Sequence, residues 1–351
     1  MNGPQAGFLA DGKRLHLNHG PIDLIIEALG EMEEVRAAYA QATARFHTIL
    51  GELVEELPAL RCAAAAQPRR FRGPTALRME AAVSPLAGED FITPMAAVAG
   101  SVADEMLAAM VAGRVLDKAY VNNGGDSALH LAPGQSMRLA IAGAGKGFAD
   151  RITVRAGDAV RGVATSGWRG RSFSLGIADA VTVLARTGAE ADAAATIVAN
   201  AVDLPDHPAV RREKARTLAP DSDLGERLVT TGVGALSEDE VAEALESGLR
   251  VAEELRRRGL VEGAALFLNG EARVCGVLPD GHVPPRAPLW PAGHLPHKGG
   301  DQPSHGASQI ARAAIRGPRP KLPISPHVGE MAGRPEGGDI GHRRLPGLSH
   351  R

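Results

Sequence analysis

The sequence predicts a mixed α and β fold followed by a tail with no core of its own, and three observations carry that expectation. Short runs with strand-like alternation recur around glycine turns, and longer stretches with apolar residues at three- and four-residue steps mark helices between them. Proline and histidine crowd the stretch from Pro279 onward, which holds more than half of the 24 Pro and of the 12 His. At 351 residues the chain is long enough for two modest domains or for one domain with a tail. Hydrophobic residues are 44% but aromatics only 3%, so the core has to be built from Ala, Val, Leu and Ile, with close helix contacts lined by Ala.

In HGPIDLIIEA, Ile22, Leu24 and Ile26 alternate with other residues, as in a strand. From 31 to 57 the apolar residues Met32, Val35, Tyr39, Ala42, Phe46, Ile49, Leu50, Leu53 and Leu57 predict one long amphipathic helix, ended by Pro58. RCAAAAQPRRFRG reads as a loop whose basic cluster is solvated. FITPMAAVAGSVADEMLAAMVAG starts a helix with Thr93 as N-cap and Pro94 as first helical residue, running to about Gly113. KAYVNNGGDSALHLAPG predicts two strands joined by a turn at Asn123, Gly124 and Gly125, and RITVRAGDAVRGVATSG a further strand pair. ADAVTVLA is a strand leading into the helix of TGAEADAAAT, and the last helix opens at Ser237 with Glu240 in the capping-box position. From about Pro279 the composition cannot bury enough apolar surface to fold alone, so we expect a folded domain over 1–278 and a disordered tail over 279–351, whose His294, His297 and His305 are scattered.

Composition also narrows the function. A formal net charge of -2 offers no concentrated basic surface, so neither nucleic acid nor an anionic membrane is expected as a partner. No run approaches the roughly 18 apolar residues of a spanning helix, and Asp11, Lys13 and Arg14 interrupt the region a signal peptide keeps apolar, so a cytoplasmic protein is expected. Cys62 and Cys275 lie far apart without a CxxC, which suits a reducing compartment.

Three glycine-marked turns carry the candidate chemistry. In NNGGD the residues Asn122, Asn123, Gly124, Gly125 and Asp126 form a turn where the backbone can approach a phosphate, and a plain hairpin explains it as well. ATSGWRGRSF offers the hydroxyls of Thr165 and Ser166 beside Gly167, with Arg169 and Arg171 as forked donors suited to phosphate. It lacks the GxSxG elbow of a serine hydrolase. In the third, Asp192 and Thr196 stand four residues apart on one helix face, a carboxylate and a hydroxyl of the hard-oxygen kind that Mg²⁺ takes. The bland reading is that Asp192 favours the first turn of its own helix.

The order NNGGD, TSG and VTVLARTGAEADAAAT resembles the ApbE-type flavin transferases (FAD:protein FMN transferases). HGPIDL, TPMAAVAG, YVNNGGD, ATSGWRGRSFSLGIADAVTVLA and DSDLG resemble the UPF0280 branch of that superfamily more closely, over about residues 14 to 275. The resemblance implies an α+β fold, ApbE-like, with antiparallel sheets and packed helices. It also implies a Mg²⁺ site from Asp192, Thr196 and a main-chain oxygen near Ala99, with FAD, FMN or a related nucleotide against 122–126 and 165–167. The implied activity is FMN transfer or diphosphate cleavage, with a protein as acceptor. The alternative is a flavin-binding or accessory protein without that chemistry. Two departures from the transferases favour the alternative: Gly100 and Ser101 replace the lysine of an AKG, and no histidine lies in the short stretch between Gly167 and Val181. Asp179 stands in that stretch, as a candidate acid-base group or as a capping aspartate. No catalytic residue is assigned.

Overall fold

The computed structural model describes residues 3–88, 90–140 and 151–276, with the backbone of 329–331 and 334–336. Three antiparallel strands open the chain, β1 (Gln5–Phe8), β2 (Leu15–His19) and β3 (Ile22–Leu29). Strict alternation in β3 buries Ile22, Leu24 and Ile26 and leaves Asp23, Ile25 and Glu27 half exposed. Helix α1 (Met32–Leu60) buries the expected stripe of Tyr39, Ala42, Phe46, Ile49, Leu50, Leu53 and Leu57. Pro58 does not end it. The ring sits in the last turn, where its missing N–H costs one bond, and full burial of Leu60 holds the final residues in the helix.

Helix α2 (Pro74–Val83) has no counterpart in the sequence reading, although Pro74 at its first turn was the available signal. It carries Glu80, which is 1% exposed and paired with Arg69 by bonds of 2.8 and 3.0 Å. Arg69 also donates to the Ala59 carbonyl, at 2.9 Å. The loop before α2 is therefore not simply a solvated basic face, because a buried carboxylate needs its charge partner.

Thr93 accepts the Met95 N–H, as an N-cap does, and a single 3-10 turn (Pro94–Ala97) leads into α3 (Val98–Val111). There follow β4 (Lys118–Asn123), β5 (Asp126–Leu131), β6 (Ser136–Ala140), β7 (Arg151–Arg155), β8 (Gly162–Ser166), β9 (Ala180–Ala185) and α4 (Gly188–Ala201). The described domain closes with β10 (Val210–Lys214), α5 (Ala215–Leu218), β11 (Leu228–Val233), α6 (Glu238–Arg257), β12 (Gly263–Leu268) and β13 (Glu271–Gly276). The capping box of Ser237 and Glu240 opens α6.

Nine strands form one antiparallel sheet in the order β1-β2-β3-β4-β5-β8-β9-β12-β13. The expected pairing of β7 with β8 does not occur. β8 enters the large sheet between β5 and β9, whereas β7 pairs with β6, and Ile152 and Val154 of β7 cover Leu129, Leu184 and Phe267. On the opposite face α1 and α3 pack over Leu17, Leu24, Ile26, Val121 and Ala128, while α4 and α6 pack over Val181, Val183, Ala264 and Leu266. The architecture is the expected α+β class, helices on an antiparallel sheet.

Pro94–Val111 is long and apolar enough to cross a membrane by length and composition, against the expectation that no run comes close. In the fold 56% of it is buried, between α1, α4 and the sheet, which accounts for its apolarity. The stretch expected as a tail, with its histidines, lies outside the described residues, apart from the backbone of β14 (Gly329–Met331) and its antiparallel partner β15 (Arg334–Glu336).

Candidate functional site

The β4–β5 turn closes over two glycines, Gly124 at φ 66° and Gly125 at φ 121°, a conformation that other residues adopt only with strain. It sets Asn123 opposite Asp126, and the Asn123 side chain on the helix face donates to the Ala99 carbonyl oxygen at 3.1 Å. Asp126 accepts the Thr165 N–H at 3.1 Å, which ties β5 to β8. From α4, Asp192 accepts the Gly100 N–H at 2.9 Å and also bonds the Ala99 N–H, while the Thr196 hydroxyl donates to the Asp192 carbonyl oxygen at 3.1 Å. The fold thus gathers Ala99, Asn123, Asp126 and Asp192 where α3 starts, with Thr196 one turn beyond Asp192 on α4. Asp192 does sit at a helix N-terminus, but the first turn it satisfies is that of α3.

The other candidates separate. Strand alternation turns the Asn122 side chain to the far face of the sheet, where it bonds Ser127 at 2.9 Å, and Thr165 to the same face, where its hydroxyl meets that of Thr182 at 2.9 Å. Only the backbones of Asn122 and Thr165 remain at the strand ends. Ser166 shares the parity of Ala164 and faces the helices. Gly167 lies so close to the next segment that a Cβ there would be 2.6 Å from the Asp179 carbonyl oxygen. Arg169 donates to Asp179 at 2.5 Å and lies over the Trp168 ring at 4.7 Å. The second oxygen of Asp179 accepts the Asn269 N–H at 2.7 Å, so Asp179 caps the β12–β13 turn. Arg171 takes the other course. Its guanidinium fills the space above Gly124, where a Cβ would be 1.6 Å from Nη2, and its charge acts on Asp23 and on Asp126. Among the described residues it has no hydrogen-bond acceptor.

Burial pushes the Asp126 carboxyl up to about 7, against the Thr165 N–H and the Arg171 charge. Burial, then the neighbouring charge of Asp126, pushes Asp192 well above the carboxylate range. Asp104, missed by the sequence reading, is raised to about 6 by burial although it accepts the N–H groups of Ala189 and Gly188. Farther along, Asp223 of DSDLG meets the Thr93 hydroxyl at 2.5 Å and is also raised by burial. All four bind protons more tightly folded than unfolded, so their contribution to stability is complete below about pH 4 and is lost as pH rises, through about 6 for Asp104 and about 7 for Asp126. Asp23, Glu52 and Glu80 have the opposite sign, and their contribution disappears only in acid, below about pH 4. The melting temperature of metal-free protein is expected to fall by on the order of 5 °C between pH 5.5 and 8. Calorimetry across that range checks it, and a flat or rising curve would contradict the raised carboxyls.

Among the described residues no group of three or more His, Cys, Asp or Glu is arranged to hold a metal. Mg²⁺ needs less, one or two carboxylates with water and phosphate completing its shell. The Asp192 and Asp126 carboxylates, the Thr196 hydroxyl and the Ala99 carbonyl are hard oxygens, each with a lone pair left, and two crowded carboxylates are relieved by a cation. This donor set fits the ion. A groove of about 700 Å³ lined by Leu86, Ile197, Val251, Leu255 and Arg258 holds none of these residues.

A family model described as AbpE bacteria matches residues 6–274. The chain belongs to this family. UPF0280 proteins are among its similar sequences: 42% identical over 115 residues in Methanothrix thermoacetophila, covering 32% of this chain and 46% of that protein. The protein from Methanoregula boonei is 33% identical over 147 residues (40% and 60%), and that from Methanopyrus kandleri 36% over 140 residues (38% and 54%). The matches thus span about half the length of these relatives. Among solved structures, the apo flavinyl transferase ApbE of Pseudomonas stutzeri is similar at 13% identity and a TM-score of 0.39, covering 77% of this chain and 95% of that one. The family model and the UPF0280 similarities bear out the kinship expected from the motifs.

Proposed function

We propose that the start of α3 and α4, with the β4–β5 turn, binds FAD or a similar pyrophosphate nucleotide together with Mg²⁺, and acts on it by FMN transfer or diphosphate cleavage. One observation carries this: two carboxylates, Asp126 and Asp192, act on each other at the start of α3, and Arg171, which has no acceptor among the described residues, lies over Gly124 with its charge on Asp126. Two negative charges against one positive leave a cation missing, and once it is there the balance favours an anion such as a pyrophosphate. Asp192, Thr196 and the Ala99 carbonyl would hold the ion, with Asp126 beside them. When bound, Mg²⁺ would polarise a phosphoryl oxygen and steady the leaving nucleotide. Arg171 would pair with phosphate oxygens, and the backbone of Gly125, with nothing within 4 Å of its Cβ position, would admit the nucleotide closely. Free Cys62 and Cys275 fit a cytoplasmic setting, and a protein acceptor fits the family resemblance.

The second reading, a flavin-binding protein without transfer chemistry, is favoured by Asp179, whose two oxygens are taken by Arg169 and Asn269. Assay of FMN or AMP released from FAD separates the two. Binding itself is tested by thermal shift with FAD, with and without Mg²⁺. At 100 times Kd a ligand adds about 2.7 kcal/mol. A shift of several degrees that needs Mg²⁺ is expected, together with roughly tenfold weaker FAD binding in Arg171→Ala. No shift in the wild type would end the flavin reading.

A further inference from the structure

Helices α3 and α4 cap one another. The first turn of any helix leaves its N–H groups without partners inside the helix. In α3 those of Ala99 and Gly100 are taken by Asp192 of α4. In α4 those of Gly188 and Ala189 are taken by the two oxygens of Asp104 of α3, at 2.8 Å each. The helices touch backbone to backbone between these pairs. A Cβ on Gly100 would lie 2.1 Å from the Gly188 carbonyl oxygen, and one on Gly188 would lie 3.0 Å from that of Gly100 and 3.1 Å from Asp104. Neither helix can slide without breaking a bond of each carboxylate.

We infer that Asp104 is a positioning residue for Asp192: by holding the start of α4 on α3 it keeps the Asp192 carboxylate at Ala99 and Gly100, and so sets how tightly that carboxylate holds a cation. The metal half of this rests on the function proposed above, whereas the coupling of the two caps does not. The side chain of Thr187, the N-cap of α4 itself, accepts the Glu190 N–H and leaves Gly188 and Ala189 to Asp104. The charges facing Asp104 are Arg78 from α2 and Glu190 and Asp192 from α4, none of which bonds those two amides.

The test compares wild type, Asp104→Ala and Asp104→Asn by amide hydrogen exchange, with Mn²⁺ affinity measured by electron paramagnetic resonance. In Asp104→Ala, protection is expected to fall at Gly188 and Ala189 and also across the contact at Ala99 and Gly100, while buried amides of α1 such as Ile49 keep theirs. The Mn²⁺ dissociation constant should rise roughly tenfold, the size typical of a group that orients a ligand. Asn, which can accept one of the two bonds, should lie between and covers the case in which the alanine variant does not fold. Unchanged protection at Ala99 and Gly100 in a folded variant would overturn the inference, and so would an equal loss everywhere. If wild type binds no Mn²⁺ while the four amides still respond together, the coupling stands and the metal reading falls.

Discussion

Asp192→Asn is expected to leave the metal-free protein at least as stable as the wild type and to abolish its response to Mg²⁺ and FAD. The asparagine side-chain oxygen can still accept the Gly100 N–H, and Asn serves as well as Asp at a helix start. What disappears is a negative charge that burial, Asp126 and Asp104 all oppose. At pH 8, where that opposition is strongest, the apo melting temperature should rise by a few degrees. At pH 5.5 the difference should be smaller, because a carboxyl raised by burial gains its proton more readily as pH falls. Scanning fluorimetry at both pH values, with and without Mg²⁺ and FAD, reads all of this. A variant that keeps the metal-dependent shift would remove Asp192 from the site. A variant destabilised at both pH values would make it chiefly the cap of α3.

The largest loss of stability is expected from Gly100→Ala. A single methyl placed 2.1 Å from the Gly188 carbonyl oxygen overlaps backbone, which cannot turn aside as a side-chain tip can. α3 and α4 would have to separate, and with them go the four capping bonds made by Asp104 and Asp192. We expect a cost above about 3 kcal/mol, and so a melting temperature lower by roughly 10 °C or loss of soluble protein. Gly51→Ala is the control. It lies exposed in α1 with nothing within 4 Å of its Cβ position, and alanine there should add about 0.5–1 kcal/mol. Should Gly100→Ala melt within a degree or two of the wild type, the close crossing and the coupling built on it would both be refuted.

Much of the local structure is legible in the residues. The stripe from Tyr39 to Leu57, the Thr93 and Ser237 caps and the glycine turn at 124 and 125 each depend on residues within a turn or two of one another, and each appears where expected. The same local reasoning fails where a distant contact outweighs it. Pro58 is carried by the burial of Leu60, Arg69 leaves solvent for Glu80, and β7 leaves β8 for β6. The arginines of the SGWRGR stretch could not be told apart by type, since only the packed loop sends Arg169 to Asp179 and Arg171 to Gly124.

The sequence by itself determined the types of the elements it marked, the family, and that an acid and a hydroxyl share one face of α4. Those properties follow from spacing along a single helix or strand. Only the tertiary structure decided that Asp192 meets the start of α3, 92 residues away, with Asp126 beside it, Arg171 over Gly124 and Asp104 returning the cap, while Asn122 and Thr165 turn to the other face. The reason is that charge, burial and hydrogen bonding act through space, and helix crossings and strand order, rather than spacing along the chain, bring those groups within reach.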